Sequence, residues 1–181
     1  MTTIANSNPS VKTESKTQML VITALFIALT FVATMFINIR LPLMGQGGLI
    51  HLGNVPLFLA AMIYGKKVGA AAGAFGMGLF DLISGWTAWA PFTFVIVGCM
   101  GLVAGLISEK MNVRPVVANI VAVIAALIIK IVGYYFAEVI LYGNWVLPLG
   151  SIPGNILQVV VAGIIVVPFA GKLKKILRRM A

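Results

Sequence analysis

The stretch GLFDLISGWTAWAPFTF, residues 78–94, places an aspartate, two tryptophans and a proline between two hydrophobic runs. Asp81 is one of only four acidic residues in a chain of 181, which is 61% hydrophobic and 9% charged. Soluble domains carry charge on roughly a quarter of their residues, because their surface must remain polar. A mean hydropathy of +1.08 leaves too little polar surface for that. We therefore expect the lipid bilayer to be the solvent of this chain.

Six hydrophobic segments extend outward from this stretch, at residues 19–38, 51–64, 68–84, 91–108, 115–141 and 152–170. A membrane-spanning helix needs about 20 apolar residues, and shorter segments can tilt or meet thinned lipid. None of the six alternates with a period of two, so a β-barrel is not indicated. The sequence predicts an all-α integral membrane protein with six transmembrane helices. Residues 18–181 would form one membrane domain behind a disordered cytoplasmic tail at residues 1–17.

The basic residues predict the orientation of these helices. Of the 13 Lys and Arg residues, all but two fall in the tail, the second-to-third and fourth-to-fifth connectors, and the C-terminal segment. Arg40 alone belongs to the opposite side, and Lys130 lies inside the fifth segment. Cytoplasmic loops of membrane proteins carry the excess of Lys and Arg. Both termini are therefore predicted to be cytoplasmic, and the positive charge indicates topology and not a nucleic-acid partner.

Polar and aromatic residues collect in the outer half of the predicted helices and in the external loops. Carboxylates inside a membrane are costly and usually mark a functional site. Residues spaced by four, as at 130, 134 and 138, share one stripe of a helix. We predict a cup, open to the outside, that binds an amphipathic small molecule. The predicted substrate-binding residues are Asn54, Asp81, Trp86, Trp89, Lys130, Tyr134, Glu138, Trp145, Asn155 and Gln158.

Simpler roles remain open for these residues. Trp86 and Trp89 could belong to the aromatic belt at the membrane interface, and Asp81 could cap its helix or reach the headgroups. The other polar residues could form a purely structural hydrogen-bond network. The chain has no HExxH, GxSxG or Walker A motif, one cysteine and one histidine. We therefore expect no enzyme active site, no metal site and no ATP hydrolysis by this chain.

Two features resemble a known family. Ala24 and Ala28, in ALFIA, present small residues four apart, and the block HLGNVPLFLAAMIYGKKVGAAAGAFGMGLFDLISGWTAWAPFTF spans residues 51–94. Together with the six-segment plan, they resemble the substrate-binding S component of an energy-coupling factor (ECF) vitamin transporter. The resemblance covers nearly all of the chain after residue 17. Members that handle hydroxymethylpyrimidine or pyridoxine look most similar.

The resemblance implies a multi-pass protein of the bacterial cell membrane that binds a vitamin from outside. Its partners would be a transmembrane coupling subunit, which docks on Ala24 and Ala28, and two ATP-binding cassette ATPases. Those ATPases would use ATP and Mg, and this chain would hold no cofactor. Alternatives are a pantothenate- or riboflavin-type S component, a solitary proton-coupled carrier with Asp81 or Glu138 as the proton site, and a membrane assembly factor that binds no small molecule.

Overall fold

A computed structural model describes residues 15–40 and 49–180, without the side chains of Arg40 and of residues 178–180. Its elements, in chain order, are α1 Lys16–Phe36, β1 Asn38–Arg40, β2 Leu49–His51, α2 Asn54–Leu59 with a π-helical continuation Ala60–Tyr64, α3 Lys66–Ile83, α4 Ala90–Lys110, α5 Pro115–Tyr142, a 3₁₀ turn Leu147–Ser151 and α6 Ile152–Met180.

The helices follow the predicted hydrophobic segments, and their ends have local causes. The Ser15 side chain accepts a hydrogen bond from the backbone of Gln18, and the Gln18 side chain returns one, which forms a capping box for α1. Pro91 and Pro115 lie in the first turns of α4 and α5, where a missing backbone N–H is harmless. Most of the predicted tail, residues 1–14, lies outside the described residues, and α1 begins at Lys16, inside its predicted end.

Four segments of the described chain are long and apolar enough to cross a membrane: Lys16–Phe36, Ala90–Lys110, Pro115–Tyr142 and Leu147–Leu177. The helix from Asn54 to Tyr64 is apolar but shorter, and α3 has 18 residues. The chain is therefore a predominantly helical protein with several membrane-spanning helices.

A small antiparallel hairpin departs from the all-α prediction. Asn38 pairs with His51, Ile39 with Ile50 and Arg40 with Leu49. Each strand has three residues, too few for the alternating pattern that reveals a strand in a sequence. The hairpin follows α1 and brings β2 to the entrance of α2.

Helices α3 and α4 pack closely through glycines. A Cβ atom added at Gly101 would collide with the backbone of Gly69, and one added at Gly105 would collide with the backbone of Lys66. Small residues at such positions let two helix backbones approach closely, which is a common basis of helix packing in membranes. At the other end of the pair, Gly78 lies against the Phe94 ring, so the end of α3 that carries Asp81 packs beside the start of α4.

The basic end of the same helix pair is held by a carboxylate. Glu109 on α4 accepts a hydrogen bond from the backbone N–H of Lys66 at 2.9 Å, and its other oxygen lies 3.5 Å from Lys66 Nζ. The first N–H groups of a helix have no partner within the helix, so an acceptor there stabilises its start. Glu109 thus caps α3 at the end opposite Asp81.

Candidate ligand-binding site

A cavity lies at the end of the bundle that carries the hairpin. Its walls come from β2, the ends of α3 and α5, the loop that joins α3 to α4, the 3₁₀ turn and the start of α6. The lining residues are Leu49, Ile50, His51, Asp81, Trp86, Trp89, Lys130, Tyr134, Glu138, Gly150, Ser151, Gly154, Asn155 and Gln158. Its volume of about 80 Å³ is room for several water molecules or one small ring.

Most of the predicted binding residues meet at this cavity. The structure brings together Asp81, Trp86, Trp89, Lys130, Tyr134, Glu138, Asn155 and Gln158. Asn54 does not line it: its side chain is fully buried, and its amide atoms have no hydrogen-bond partner within the described chain. Trp145 does not line it either. Its side chain is 64% exposed, and its backbone carbonyl accepts a hydrogen bond from the Tyr135 hydroxyl.

Three helices are joined by one hydroxyl group beside the cavity. Thr93, near the start of α4, donates to Asp81 Oδ2 at 2.5 Å. The same hydroxyl oxygen lies 3.0 Å from the hydroxyl of Tyr134 on α5. Asp81 and Tyr134 line the cavity, whereas Thr93 is buried behind them. This contact fixes where the carboxyl group and the phenol ring face the cavity.

Lys130 supplies a buried cation. Its side chain is 2% exposed, and Nζ donates to Gln158 Oε1 at 3.0 Å and lies 5.8 Å from the centre of the Tyr134 ring. Among the described residues, no carboxylate lies within 4.0 Å of it. A lysine ammonium has three N–H donors, so this one retains donors for a ligand.

Gln158 connects that cation to the hairpin. Its side-chain nitrogen donates to the backbone carbonyl of Leu49 at 2.8 Å, while its oxygen accepts from Lys130. The amide is therefore fully oriented by its neighbours, with both of its ends engaged. The hydrogen bond to Leu49 holds β2 against α6 at the edge of the cavity.

The aromatic wall is built on the loop after α3. The rings of Trp86 and Trp89 meet edge to face, with centroids 5.2 Å apart, and Trp89 makes a similar contact with Tyr142 at 6.0 Å. Successive backbone hydrogen bonds, from Trp86 N–H to the Asp81 carbonyl and from Trp89 N–H to the Trp86 carbonyl, wind the loop tightly. Such a wall offers ring faces and edges to a flat ligand.

Glu138, on α5, provides a second carboxyl group in the cavity lining. It is 4% exposed, and Ser151 of the 3₁₀ turn lies beside it. Asn155, on the first turns of α6, is half-buried and also lines the cavity. The cavity therefore combines one cation, two carboxyl groups and two amides with an aromatic wall, which suits a small, flat molecule with several polar substituents.

Comparison with known proteins identifies the family. Residues 14–175 match the model of the family described as "ECF-type riboflavin transporter, S component". The chain belongs to this family. It is therefore an integral membrane transport subunit and not an enzyme, as the sequence resemblance predicted. Family membership implies that its partner is an ECF module of membrane and ATPase subunits.

Individual relatives agree with the family assignment. The thiamine precursor transporter HmpT of Lactococcus lactis is 28% identical over 142 residues, which cover 78% of this S component and 79% of HmpT. An uncharacterized protein of Pyrococcus woesei is 31% identical over 105 residues, 58% of this chain and 69% of the relative. The solved S component of a bacterial ECF transporter superposes with a TM-score of 0.71 at 23% identity, over 90% of this chain and 99% of that one, and shows the same fold.

Three residues at or beside the cavity are absent from the predicted substrate-binding residues: Thr93, Ser151 and His51. Within the described residues, no group of three His, Cys, Asp or Glu side chains is placed to hold a metal ion. Instead, His51 lies in β2 on the cavity wall, and its Nδ1 accepts a hydrogen bond from the Gly53 N–H at 3.2 Å.

The hydrogen bond that His51 accepts at Nδ1 determines where its ring carries a proton. A neutral imidazole that accepts at Nδ1 carries its proton on Nε2. The neutral ring of His51 thus has one N–H donor, and the residue lies on the cavity wall.

Proposed function

We propose that this S component is the high-affinity substrate-binding subunit of an ATP-driven ECF importer, and that its substrate is hydroxymethylpyrimidine or pyridoxine. The observation that carries the proposal is the composition of the cavity: a small space lined by Trp86 and Trp89 together with the ionisable groups of Lys130, Asp81 and Glu138. The similarity to HmpT, a thiamine precursor transporter, supports the same class of substrate.

The chemistry of such ligands matches these groups. Hydroxymethylpyrimidine and pyridoxine are single heteroaromatic rings with hydroxymethyl groups, and their ring nitrogens accept hydrogen bonds. Donors of Lys130 and His51 could meet those acceptors, while Asp81 and Glu138 could accept from hydroxyl or amine groups. The ring itself would contact Trp86 and Trp89, which adds about 0.5–1.5 kcal/mol beyond area burial for an aromatic pair.

Riboflavin is the second candidate, because the family description names it. A three-ring flavin with a ribityl chain is much larger than a pyrimidine. It would therefore need a considerably larger cavity than either of the single-ring candidates. Pantothenate is an anion that Lys130 could attract, but the carboxyl groups of Asp81 and Glu138 would repel it when ionised.

The topology and the assembly belong to the same proposal. Six helices would cross the membrane with both termini in the cytoplasm, which the distribution of Lys and Arg supports. The partners would be a transmembrane coupling subunit and two ATP-binding cassette ATPases, which use ATP and Mg, while this chain holds no cofactor. Ala24 and Ala28 are exposed on α1 and would form the docking surface for the coupling subunit.

The three tryptophans allow a direct binding experiment. Trp86 and Trp89 line the cavity, whereas Trp145 is exposed outside it. In a Trp145→Phe variant, all indole fluorescence comes from the cavity. Titration of the purified variant with hydroxymethylpyrimidine, pyridoxine, riboflavin and pantothenate should change that fluorescence with one of the first two ligands. In the matched control, a Trp86→Phe, Trp89→Phe double variant, the remaining Trp145 signal should not respond.

Co-purification and uptake test the rest of the proposal. Mass spectrometry of protein purified from cells in rich medium should identify a small heteroaromatic compound. Uptake of that compound should require co-expressed coupling and ATPase subunits. Binding of riboflavin alone would reassign the substrate, uptake without ATPases would favour a solitary carrier, and the absence of any ligand would favour an assembly factor.

A further inference from the structure

Thr93 contacts two cavity residues without lining the cavity itself. Its side chain is 1% exposed, so it cannot touch a ligand in this arrangement. Its hydroxyl nevertheless meets Asp81 from α3 and Tyr134 from α5. Within the described residues, this is the hydrogen bond that the Asp81 carboxyl group accepts from a side chain.

The protons of this group have a defined order. A hydroxyl has one proton and can accept two hydrogen bonds, whereas an ionised carboxylate only accepts. When Asp81 is ionised, Thr93 must therefore donate to Oδ2, and the Tyr134 hydroxyl must donate to Thr93. The hydrogen bonds therefore run from Tyr134 to Thr93 and from Thr93 to Asp81, and both hydroxyl protons are used.

This order leaves an acceptor for a ligand. Asp81 lines the cavity, and its Oδ2 is engaged by Thr93, so Oδ1 is the oxygen without a partner in the described structure. A carboxylate held at one oxygen cannot rotate freely, and the other oxygen keeps a fixed direction. A bound ligand that lacks a donor there covers this oxygen without pairing it, which is a basis for discrimination between ligands.

We propose that Thr93 is a positioning residue for ligand selection in this cavity: it holds the Asp81 carboxylate so that ligands with an N–H donor, such as an exocyclic ring amine, are preferred. The proposal deepens the proposed function and rests on it for the identity of the ligand. Thr93 therefore changes the relative affinity for different ligands, and not only the packing of the helices.

Two pyrimidines and three proteins test the selection. Hydroxymethylpyrimidine carries an exocyclic amine, and its counterpart has hydrogen in that place. The parent should bind the first about tenfold more tightly or better, the scale of a hydrogen bond to a charged group. Thr93→Val removes the hydroxyl and keeps the shape, so most of this preference should disappear. Thr93→Ser restores the hydroxyl and should restore the preference. Equal weakening for both pyrimidines, or no weakening, would overturn the proposal.

A second measurement needs no ligand. Infrared spectra of the empty protein contain carboxyl bands, and the Asp81 band is the one that Asp81→Asn removes. That band should shift in Thr93→Val and remain in place in Thr93→Ser. An unchanged band in folded Thr93→Val would refute the positioning role, whatever the substrate is.

The two measurements separate the possible failures. If the parent binds neither pyrimidine, the proposed substrate is wrong, and the infrared band still decides the role of Thr93. If Thr93→Val does not fold, Thr93→Cys keeps a similar volume with a much weaker donor and should shift the same band. Each variant should first elute as a single folded species from size-exclusion chromatography.

Discussion

Replacement of Lys130 by methionine should weaken ligand binding without weakening the fold. Lys130 is buried, donates one hydrogen bond to Gln158 and has no carboxylate within 4.0 Å among the described residues. Methionine has a similar length and an apolar end, so it fills the same space without a charge. The substitution therefore separates the effect of the buried cation on the stability of the empty protein from its effect on ligand affinity.

The magnitudes have opposite signs for stability and for binding. Removing a buried charge relieves a desolvation penalty of several kcal/mol, by rough estimate. The lost hydrogen bond leaves Gln158 Oε1 without its donor, which costs about 1–3 kcal/mol. The first term is the larger, so the melting temperature of the empty protein should stay unchanged or rise. The ligand loses a charged donor worth about 1.5–3 kcal/mol, which lowers its affinity about 10- to 100-fold.

The assay measures both quantities in one preparation. Thermal unfolding in detergent gives the melting temperature without ligand, and calorimetric titration with hydroxymethylpyrimidine or pyridoxine gives the affinity. Lys67→Met is the matched control, because Lys67 is an exposed lysine at the start of α3, the end opposite Asp81 and the cavity. It should change neither quantity. A Lys130→Met protein that melts at lower temperature but binds as tightly as the parent would show that Lys130 serves the fold and not the ligand.

Three further substitutions test the site, the packing and the docking surface. Trp89→Ala should weaken binding by about 1–3 kcal/mol, the scale of one lost aromatic contact, whereas Trp145→Ala should leave the titration curve unchanged. Gly101→Ala should lower the melting temperature, since its Cβ would collide with the backbone of α3 at a typical cost of about 1–3 kcal/mol; Gly154→Ala, where the nearest atom is 3.8 Å away, should not. Ala24→Trp should abolish co-purification with the coupling and ATPase subunits while ligand affinity in detergent is kept, and an intact complex would contradict the docking role.

The sequence predicted the helices well because their hydrophobic runs are dictated by the membrane. The fifth run, predicted at 115–141, is observed as Pro115–Tyr142. The sixth was predicted to stop at residue 170, whereas α6 continues to Met180. Hydropathy ends where the lipid ends, but Lys, Leu and Arg favour helix in water as well. Hydropathy therefore predicts where a helix leaves the membrane, but it does not predict the last residue of the helix.

The charged members of the cavity were predictable for a related reason. A charge inside a membrane is costly, so Asp81, Lys130 and Glu138 stand out in the sequence. Thr93 and Ser151 do not, because a hydroxyl in a helix can satisfy itself on the preceding turn, as Thr34 does with the Thr30 carbonyl. Only the packing of α4 between α3 and α5 shows that the Thr93 hydroxyl instead contacts the side chains of Asp81 and Tyr134.

Tryptophans gave a less reliable signal than charges. An indole is stable both at a membrane interface and in a binding site, so composition cannot distinguish Trp145 from Trp86. Their loops differ in backbone winding: the loop after α3 is tied to Asp81 by a backbone hydrogen bond, which brings Trp86 to the cavity. Trp145 follows the end of α5 at Gly143 and stays exposed.

The acidic residues of the described chain divide between two tasks, and this division supports a ligand site. Glu109 caps α3 and pairs with Lys66 at the basic end, where water and neighbouring charge make it inexpensive. Asp81 and Glu138 lie at the opposite end, around a buried Lys130 with which neither forms an ion pair within 4.0 Å. Ionisable groups that lose part of their hydration without an ion-pair partner destabilise the folded protein. We expect a ligand that bridges the three groups to supply the missing partners, so that part of this cost is recovered as binding free energy.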